Sequence, residues 1–349
     1  MHHPLLSLVE KAYPRQEWPA LHAQAEEWAQ SRPLAGLRIL DGTPIYRNTL
    51  AKYAALLAAG AELAVPEHPA MPADAAIEAA LPAFGIQRVS PEAWPCDIAL
   101  DCAGQFSHLH PRLGACELTR SGVQRYANPR FPVFVADSSR IKLLETSLGT
   151  GDGFFRALAH LGYQELKGRK LLIVGLGKVG RGVLHYALQY GMDVCVADII
   201  PHTLPGGVGY VDATQAHTLN AAILNSWCTV TTTGQRHALH GTVDAERICR
   251  SQVLLANLGV EDEYGPSIPA ERVLNRKQAL NFMLEEPTSM RFIETTMALH
   301  NACALLLAHE QLPPLAQAPP RELEESLLRS AGWDNLHTRL SLDSGETTA

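Results

Sequence analysis

The feature that most constrains this fold is the segment from Lys167 to Asp198, which carries a G-x-G-x-x-G pattern. An apolar run from Leu171 to Val174 precedes the glycines and is typical of a buried parallel strand. In such a pattern Gly175 permits a tight turn, Gly177 lets a pyrophosphate approach the backbone, and Gly180 lets the next helix pack closely. The order of strand, glycines and helix therefore predicts the phosphate-binding turn of a dinucleotide site.

The residues after the glycines strengthen this interpretation. A helix that opens with Lys178 and Val179 would direct its N–H groups and positive dipole end at phosphates. A second apolar strand then ends at Asp198, where a carboxylate accepts hydrogen bonds from ribose hydroxyls and repels a 2′-phosphate. We therefore expect NAD rather than NADP. A Rossmann-like domain that has lost its cofactor, or that binds another adenosine ligand, stays open as the alternative.

Composition excludes several other classes of protein. The chain has 349 residues and a net charge of −7, which gives no sign of a nucleic-acid partner. No apolar run approaches the roughly 20 residues of a membrane span, and the N-terminus lacks the features of a signal peptide. The seven cysteines form no C-x-x-C pair, and the histidines have no metal-ligand spacing. We expect a cytoplasmic protein without a metal.

Predicted strands and helices alternate along most of the chain, which indicates an α/β fold. We expect two doubly wound parallel-sheet domains, with a central Rossmann domain inserted between the two parts of a substrate domain. The predicted boundaries are 1–160 for the first part of the substrate domain, 161–285 for the Rossmann domain, and 286–349 for a returning helix and tail. A glycine-rich break at 149–153 would interrupt a long helix over 139–161, near the first crossing between domains.

Two later segments of the predicted Rossmann domain resemble strands that end in small polar residues. They run from Cys228 to Gly234 and from Val253 to Gly259, and we expect exposed N–H groups at their ends, where a dinucleotide would lie. Residues 279–283 are predicted to form a last short strand.

Short motifs along the chain, in matching order and spacing, are similar to those of one enzyme family. They are Leu100–Gly104 (LDCAG), Glu117–Val123 (ELTRSGV), Ala136–Ser139 (ADSS), Gly175–Gly182 (GLGKVGRG), Val230–Gly234 (VTTTG), Asn257–Gly259 (NLG) and Leu280–Asn281 (LN). Together they resemble S-adenosylhomocysteine hydrolase over residues 48–309. The resemblance implies tight NAD binding, reversible oxidation of a substrate ribose hydroxyl, and a homo-oligomer.

The resemblance also implies which residues contact the cofactor. These are Thr119, Thr146, Gly175, Gly177, Lys178, Val179, Gly180, Asp198, Thr232, Thr233, Gly234, Asn257, Gly259 and Asn281.

The positions that carry catalysis in this family match less well. The second aspartate of its L-D-D-G-G motif is Cys102 here, the second glutamate of E-E-T-T-T is Leu118, and the histidine after N-I-G is Val260. Hydride removal from an alcohol and elimination both require proton-transfer groups, which leucine and valine cannot supply. The candidates that remain for this role are Lys142, Glu145 and Asp101. Lys142 and Glu145 are also spaced as an ordinary helix ion pair.

These departures favour an NAD-dependent oxidoreductase that acts on a small polar substrate other than S-adenosylhomocysteine, bound in a cleft between the domains. Two alternatives stay open. One is an S-adenosylhomocysteine hydrolase with displaced catalytic groups, and the other is a catalytically silent, NAD-binding regulatory protein.

Overall fold

The computed structural model describes residues 4–334, so the end of the predicted tail, residues 335–349, lies outside it. The described chain divides into two compact units. The first unit contains the residues up to Lys142 together with Met290–Asp334, and the second unit is Leu143–Ser289. The predicted domain boundaries, 1–160, 161–285 and 286–349, stay a prediction.

Six parallel strands and six helices form the first part of unit 1. The strands are β1 (Arg38–Asp41), β2 (Glu62–Pro66), β3 (Gln87–Val89), β4 (Ile98–Asp101), β5 (Gly114–Glu117) and β6 (Val133–Val135). The helices are α1 (Pro4–Ala12), α2 (Pro19–Ser31), α3 (Thr49–Ala58), α4 (Ala75–Ala80), α5 (Arg120–Val123) and α6 (Arg140–Leu143).

Unit 2 contains five strands and four α-helices. The strands are β7 (Lys170–Val174), β8 (Asp193–Asp198), β9 (Gly209–Asp212), β10 (Cys228–Thr231) and β11 (Leu254–Asn257). The helices are α7 (Thr150–His160), α8 (Lys178–Gln189), α9 (Ala216–Asn225) and α10 (Ala245–Arg250). The chain then returns to unit 1 through α11 (Met290–His309), β12 (Ala316–Gln317) and α12 (Arg321–Ser330).

Each unit is built on one wholly parallel sheet. The strand order in unit 1 is β12-β6-β5-β4-β1-β2-β3, and the order in unit 2 is β11-β10-β7-β8-β9. Both faces of the central strand β7 are buried, because Leu171 and Ile173 pack with α7 and α8 while Leu172 and Val174 pack with α9 and α10. The α/β fold class with two doubly wound parallel sheets is confirmed.

The long helix α11 completes the core of unit 1. Its Ala298 carbonyl accepts a hydrogen bond from Gln24 Nε2 on α2 at 2.7 Å, and Asn301 Nδ2 donates to the Lys52 carbonyl on α3 at 3.2 Å. His300 Nε2 lies 2.9 Å from the Cys116 carbonyl of β5. Within residues 4–334, no helix combines the length and the apolar character that a membrane span requires.

Two local predictions are wrong. The glycines at 149–153 do not interrupt the helix, since a π-helical segment (Leu144–Gly149) runs directly into α7. They allow close packing instead, because a Cβ on Gly151 would lie 2.6 Å from the Gly182 carbonyl carbon of α8. Residues 279–283 form no strand: Ala279 makes one isolated bridge to Asn257, and Leu280–Met283 is a 3-10 turn.

Candidate functional site

Close backbone contacts require two glycines of the G-x-G-x-x-G pattern, Gly175 in the turn after β7 and Gly180 in the first turn of α8. Gly175 has φ +93°, a conformation that glycine adopts readily, and a Cβ on it would lie 3.0 Å from the Thr232 backbone. A Cβ on Gly180 would lie 2.1 Å from the Gly175 carbonyl oxygen, so no side chain fits between helix and turn. These contacts set the angle at which α8 leaves the sheet.

The middle glycine is different, because the space beside it is open. Among residues 4–334, a Cβ on Gly177 would meet no atom within 4 Å. Gly177 is also the N-cap of α8, and within the same residues no side-chain cap is present for the N–H groups of the first turn, which includes Lys178 and Val179. Open space beside uncapped N–H groups at a helix N-terminus is the arrangement that binds phosphate.

Asp198 closes β8 beside this turn. Its Oδ2 accepts a hydrogen bond from the Leu176 N–H at 2.6 Å, and its Oδ1 accepts one from the Ile200 N–H at 3.0 Å. Burial acts to raise the pKa of Asp198, but these two N–H groups and the nearby His202 outweigh it, so the pKa lies below its ordinary value. The side chains of Ile199 and Ile200, 70% and 60% exposed, offer an apolar surface next to this ionised carboxylate.

The loop after β10 is fixed by a glutamate that the sequence interpretation missed. The N–H groups of Thr233 and Gly234 donate to the two carboxylate oxygens of Glu263, at 2.8 and 2.7 Å. The expectation that these N–H groups are exposed to a ligand is therefore wrong. Thr232 is tied to the glycine turn, because its hydroxyl donates to the Gly175 carbonyl at 2.5 Å.

The Glu263 carboxylate can lie close to the backbone at Gly259 because Gly259 has no side chain. A Cβ on Gly259 would lie 2.2 Å from Glu263 Oε1. Burial of Glu263, which has no exposed surface, raises the pKa of its carboxyl group, while the donated hydrogen bonds act against that rise. The only sequence signal for this residue is its place in the acidic run after β11.

Asn257 is fully buried and its amide is bonded within the protein. Its Oδ1 accepts from Thr231 Oγ1 and the Gly259 N–H, both at 3.0 Å. Its Nδ2 donates to three backbone carbonyl groups, which belong to Gly259, Glu261 and Lys277. These contacts hold the loop after β11 in place.

Asn281 lies on the 3-10 turn that follows. Its side chain is 5% exposed, and Nδ2 donates to the Pro287 carbonyl at 3.3 Å. Among residues 4–334, Oδ1 of the same amide has no hydrogen-bond partner. An unpaired buried acceptor is costly, so this oxygen is suited to a donor group on a ligand. Thr146, which is partly buried, lies in the π-helical segment of the same unit.

In unit 1, the predicted residues Asp101 and Thr119 lie with Glu117 at the carboxyl ends of β4 and β5. Glu117 accepts hydrogen bonds from the N–H groups of Ala103, Gly104 and Thr119. The Thr119 hydroxyl contacts Glu117 Oε1 at 2.7 Å and caps α5. Asp101 accepts hydrogen bonds from the Cys102 and Phe106 N–H groups and from the Tyr126 hydroxyl.

Asp101 therefore has three protein donors and no exposed surface. Burial, and then the nearby charge of Glu117, raise the pKa of Asp101 to about 7. The other two predicted catalytic residues, Lys142 and Glu145, are a buried lysine at the end of unit 1 and a partly buried glutamate in the π-helical segment of unit 2.

A second missed feature is a buried ion pair in unit 1. Lys52 Nζ on α3 contacts Asp41 Oδ2 at the end of β1, and neither side chain is exposed. Burial lowers the pKa of Lys52, and the charge of Asp41 only partly offsets this effect. No sequence motif pairs these two residues, because Lys52 lies among apolar residues of α3.

No family model matches the chain. It is 27% identical over 296 residues to an S-inosyl-L-homocysteine hydrolase of Methanopyrus kandleri, covering 72% of this chain and 67% of that one. It is also 27% identical over 154 residues to an adenosylhomocysteinase of Thermoplasma acidophilum, covering 42% and 37%. An adenosylhomocysteinase of Haloquadratum walsbyi is 23% identical over 276 residues, covering 70% and 63%. At 23–27% identity, the chain is similar to S-adenosylhomocysteine hydrolases and divergent from them.

The chain matches between 37% and 67% of the length of these relatives. Among solved structures, it has a TM-score of 0.49 and 13% identity to one of the dipicolinate synthase chains of Bacillus halodurans, covering 79% of this chain and 99% of that one. A transhydrogenase of Sinorhizobium meliloti has a TM-score of 0.42 and 13% identity, covering 77% and 95%. These likenesses are too distant to bear on function.

Two positions at which the chain departs from the family it resembles can now be located in the structure. Leu118 is a buried residue directly after β5, and Val260 is 92% exposed after β11. Neither side chain can transfer a proton. Unit 2 nevertheless has the fold and the glycine fingerprint of an NAD-binding domain.

Proposed function

We propose that the protein is an NAD-dependent oxidoreductase that acts on a small polar substrate other than S-adenosylhomocysteine. The observation that carries the proposal is the open space at Gly177, beside the uncapped N-terminus of α8 and the ionised Asp198. The glycine turn and the N-terminus of α8 would thus bind phosphate, and the neighbouring end of β8 would supply the acceptor for the ribose hydroxyls.

In this proposal the turn from Gly175 to Gly180 would hold the pyrophosphate of NAD, and Asp198 would accept hydrogen bonds from the adenosine ribose. The unpaired Oδ1 of Asn281 would accept a hydrogen bond from the nicotinamide carboxamide. When bound, NAD supplies a hydride acceptor, and the protein supplies orientation and proton transfer. Thr119 and Thr146 complete the proposed nicotinamide contacts.

Proton transfer is assigned to Lys142 and Glu145, with Asp101 as the third candidate. The pKa of about 7 at Asp101 suits proton exchange near neutral pH. Its three protein donors also give it a positioning role, because they hold the loop from Cys102 to Phe106. A homo-oligomer, which the resemblance implies, stays part of the proposal and can be measured by analytical ultracentrifugation.

The test begins with cofactor binding. Calorimetry with NAD and NADH should give saturable heat for the wild type, and Gly177→Val should abolish it. The valine would fill the space proposed for the pyrophosphate while meeting little of the protein itself, so its melting temperature should stay near that of the wild type. No heat with either nucleotide, and no nucleotide released on denaturation, would refute the proposal.

The relatives favour a second candidate, hydrolysis of a thioether nucleoside, because those proteins are hydrolases by name. The two functions differ in their cofactor balance. A hydrolase returns its hydride within each cycle and releases homocysteine, so free thiol appears without net NADH. An oxidoreductase accumulates NADH and releases no thiol. Free thiol released from S-adenosylhomocysteine or S-inosylhomocysteine, without net NADH, would identify the hydrolase. No thiol from either compound, together with NADH formed from a different small polar substrate in a panel, would identify the oxidoreductase. A protein that binds NAD but gives neither product across a broad substrate panel would be the silent regulator instead.

A further inference from the structure

A histidine that no sequence motif identified lies beside the ribose-binding acid. His202 follows β8, and its Nε2 is 3.2 Å from Asp198 Oδ2. The imidazole is 19% exposed, and Nε2 itself is buried. Among residues 4–334, this nitrogen has no partner with hydrogen-bond geometry, although it is close enough to attract the carboxylate.

Asp198 by itself can accept a hydrogen bond from a ribose hydroxyl but cannot donate one to it. An ionised carboxylate only accepts hydrogen bonds, and each oxygen of Asp198 already accepts one backbone N–H. A hydroxyl group donates one hydrogen bond and can accept others. When the ribose hydroxyl donates its proton to Asp198, a second group close to Asp198 is needed to donate a hydrogen bond to the hydroxyl oxygen. The neutral imidazole tautomer with its proton on Nε2 is a donor of this kind.

We propose that His202 is a second ribose-binding residue, which donates to the adenosine 2′-hydroxyl while Asp198 accepts from it. This inference rests on the proposed function, because it requires that the site binds NAD. The pair would favour NAD over NADP, since a 2′-phosphate has no proton to give Asp198 and brings negative charge against it.

The experiment compares two ligands that differ only at the group in question. Dissociation constants are measured by calorimetry for NADH and for its analogue that lacks the adenosine 2′-hydroxyl. The proteins are the wild type, His202→Ala, His202→Gln and the control His217→Ala, which removes an exposed histidine from α9.

For NADH, His202→Ala should weaken binding by about tenfold, the usual size of one lost hydrogen bond. The same variant should change the affinity for the analogue by less than about twofold. His202→Gln keeps an N–H donor on a planar side chain and should recover most of the loss, while His217→Ala should bind both ligands like the wild type.

Equal losses for the two ligands would overturn the inference, as would unchanged NADH binding by His202→Ala. Either result would leave NAD binding intact. If the wild type binds neither ligand, the proposed function itself fails, and this outcome is distinct from the first two. Melting temperatures of all variants confirm that each protein is folded when it is measured.

Discussion

Gly182 and Ser147 lie in backbone contact, because a Cβ on Gly182 would be 1.9 Å from the Ser147 carbonyl oxygen. This contact joins α8 to the π-helical segment Leu144–Gly149 within unit 2. Gly182 follows the glycine pattern, yet it is constrained as tightly as Gly180. Helix α8, whose N-terminus faces the proposed phosphate site, is therefore also positioned by its packing against the π-helical segment.

Replacement of Gly182 by alanine should destabilise the protein. The added methyl group cannot fit without a backbone shift, and overpacking of this kind costs about 1–3 kcal/mol of unfolding free energy. The measurement is urea denaturation. Gly177→Ala is the matched control, since its methyl group meets no atom of residues 4–334 within 4 Å and should cost less than about 1 kcal/mol, the usual cost of an alanine at an N-cap. Similar stability of the two variants would contradict the contact.

Glu263 should hold the loop after β10 in its binding conformation. Glu263→Ala leaves the N–H groups of Thr233 and Gly234 without their acceptor, which we expect to cost about 1–3 kcal/mol of unfolding free energy and to weaken NADH binding. The exposed neighbour Glu261 provides the control, and Glu261→Ala should leave both quantities unchanged.

The contact between Gly259 and Glu263 predicts a coupling between two substitutions. Gly259→Ala should destabilise the wild type, because the new methyl group meets Glu263 Oε1. In the Glu263→Ala background the clash is gone, so the same substitution should cost much less. Unfolding free energies of the four proteins give the coupling directly. Additive costs would show that the two residues do not interact.

The buried pair of Lys52 and Asp41 should also show coupling. Lys52→Met leaves a buried carboxylate without its partner, and breaking a buried ion pair in this way costs about 3–5 kcal/mol. Asp41→Asn alone should be costly for the same reason, while the double variant should be more stable than the sum of the two losses predicts. A double variant as unstable as that sum would argue against the pair.

Glu294 should make the protein less stable as the pH rises. Its carboxylate on α11 accepts a hydrogen bond from the Leu21 N–H near the start of α2, and burial raises its pKa from an ordinary 4.5 to about 7. The folded state then binds the proton more tightly than the unfolded state, so this contribution to stability is complete below pH 4.5 and is lost up to about pH 7. The loss is at most about 3.5 kcal/mol, at about 1.4 kcal/mol per pKa unit.

Glu294→Gln tests this sign, because glutamine keeps an acceptor for the Leu21 N–H but does not titrate. The difference in unfolding free energy between wild type and variant should shift in favour of the variant as the pH rises from 4.5 to 7. Asp101, whose pKa is also raised to about 7, acts in the same direction and is present in both proteins. A difference that stays constant with pH would contradict the prediction.

The local chemistry of the glycine turn was readable from the sequence. Gly175, Gly180 and Asp198 belong to one continuous segment, where apolar runs, glycines and a terminal acid occur in fixed order. Their constraints are short-range, since a strand, a turn and a helix that follow each other directly must meet. The parallel α/β class follows from the same alternation along the chain.

The sequence alone thus determined the fold class, the dinucleotide fingerprint and the acid that ends β8. Only the tertiary structure decided the partners of Glu263, Lys52 and His202 and the unpaired oxygen of Asn281. The predicted break at the glycines of 149–153 is a continuous helix in the structure. Gly151 serves close packing against Gly182 and does not form a turn. The physical reason is that hydrophobic periodicity specifies which face of an element is buried. It does not specify which remote side chain meets that face, and such contacts depend on how all the elements pack together.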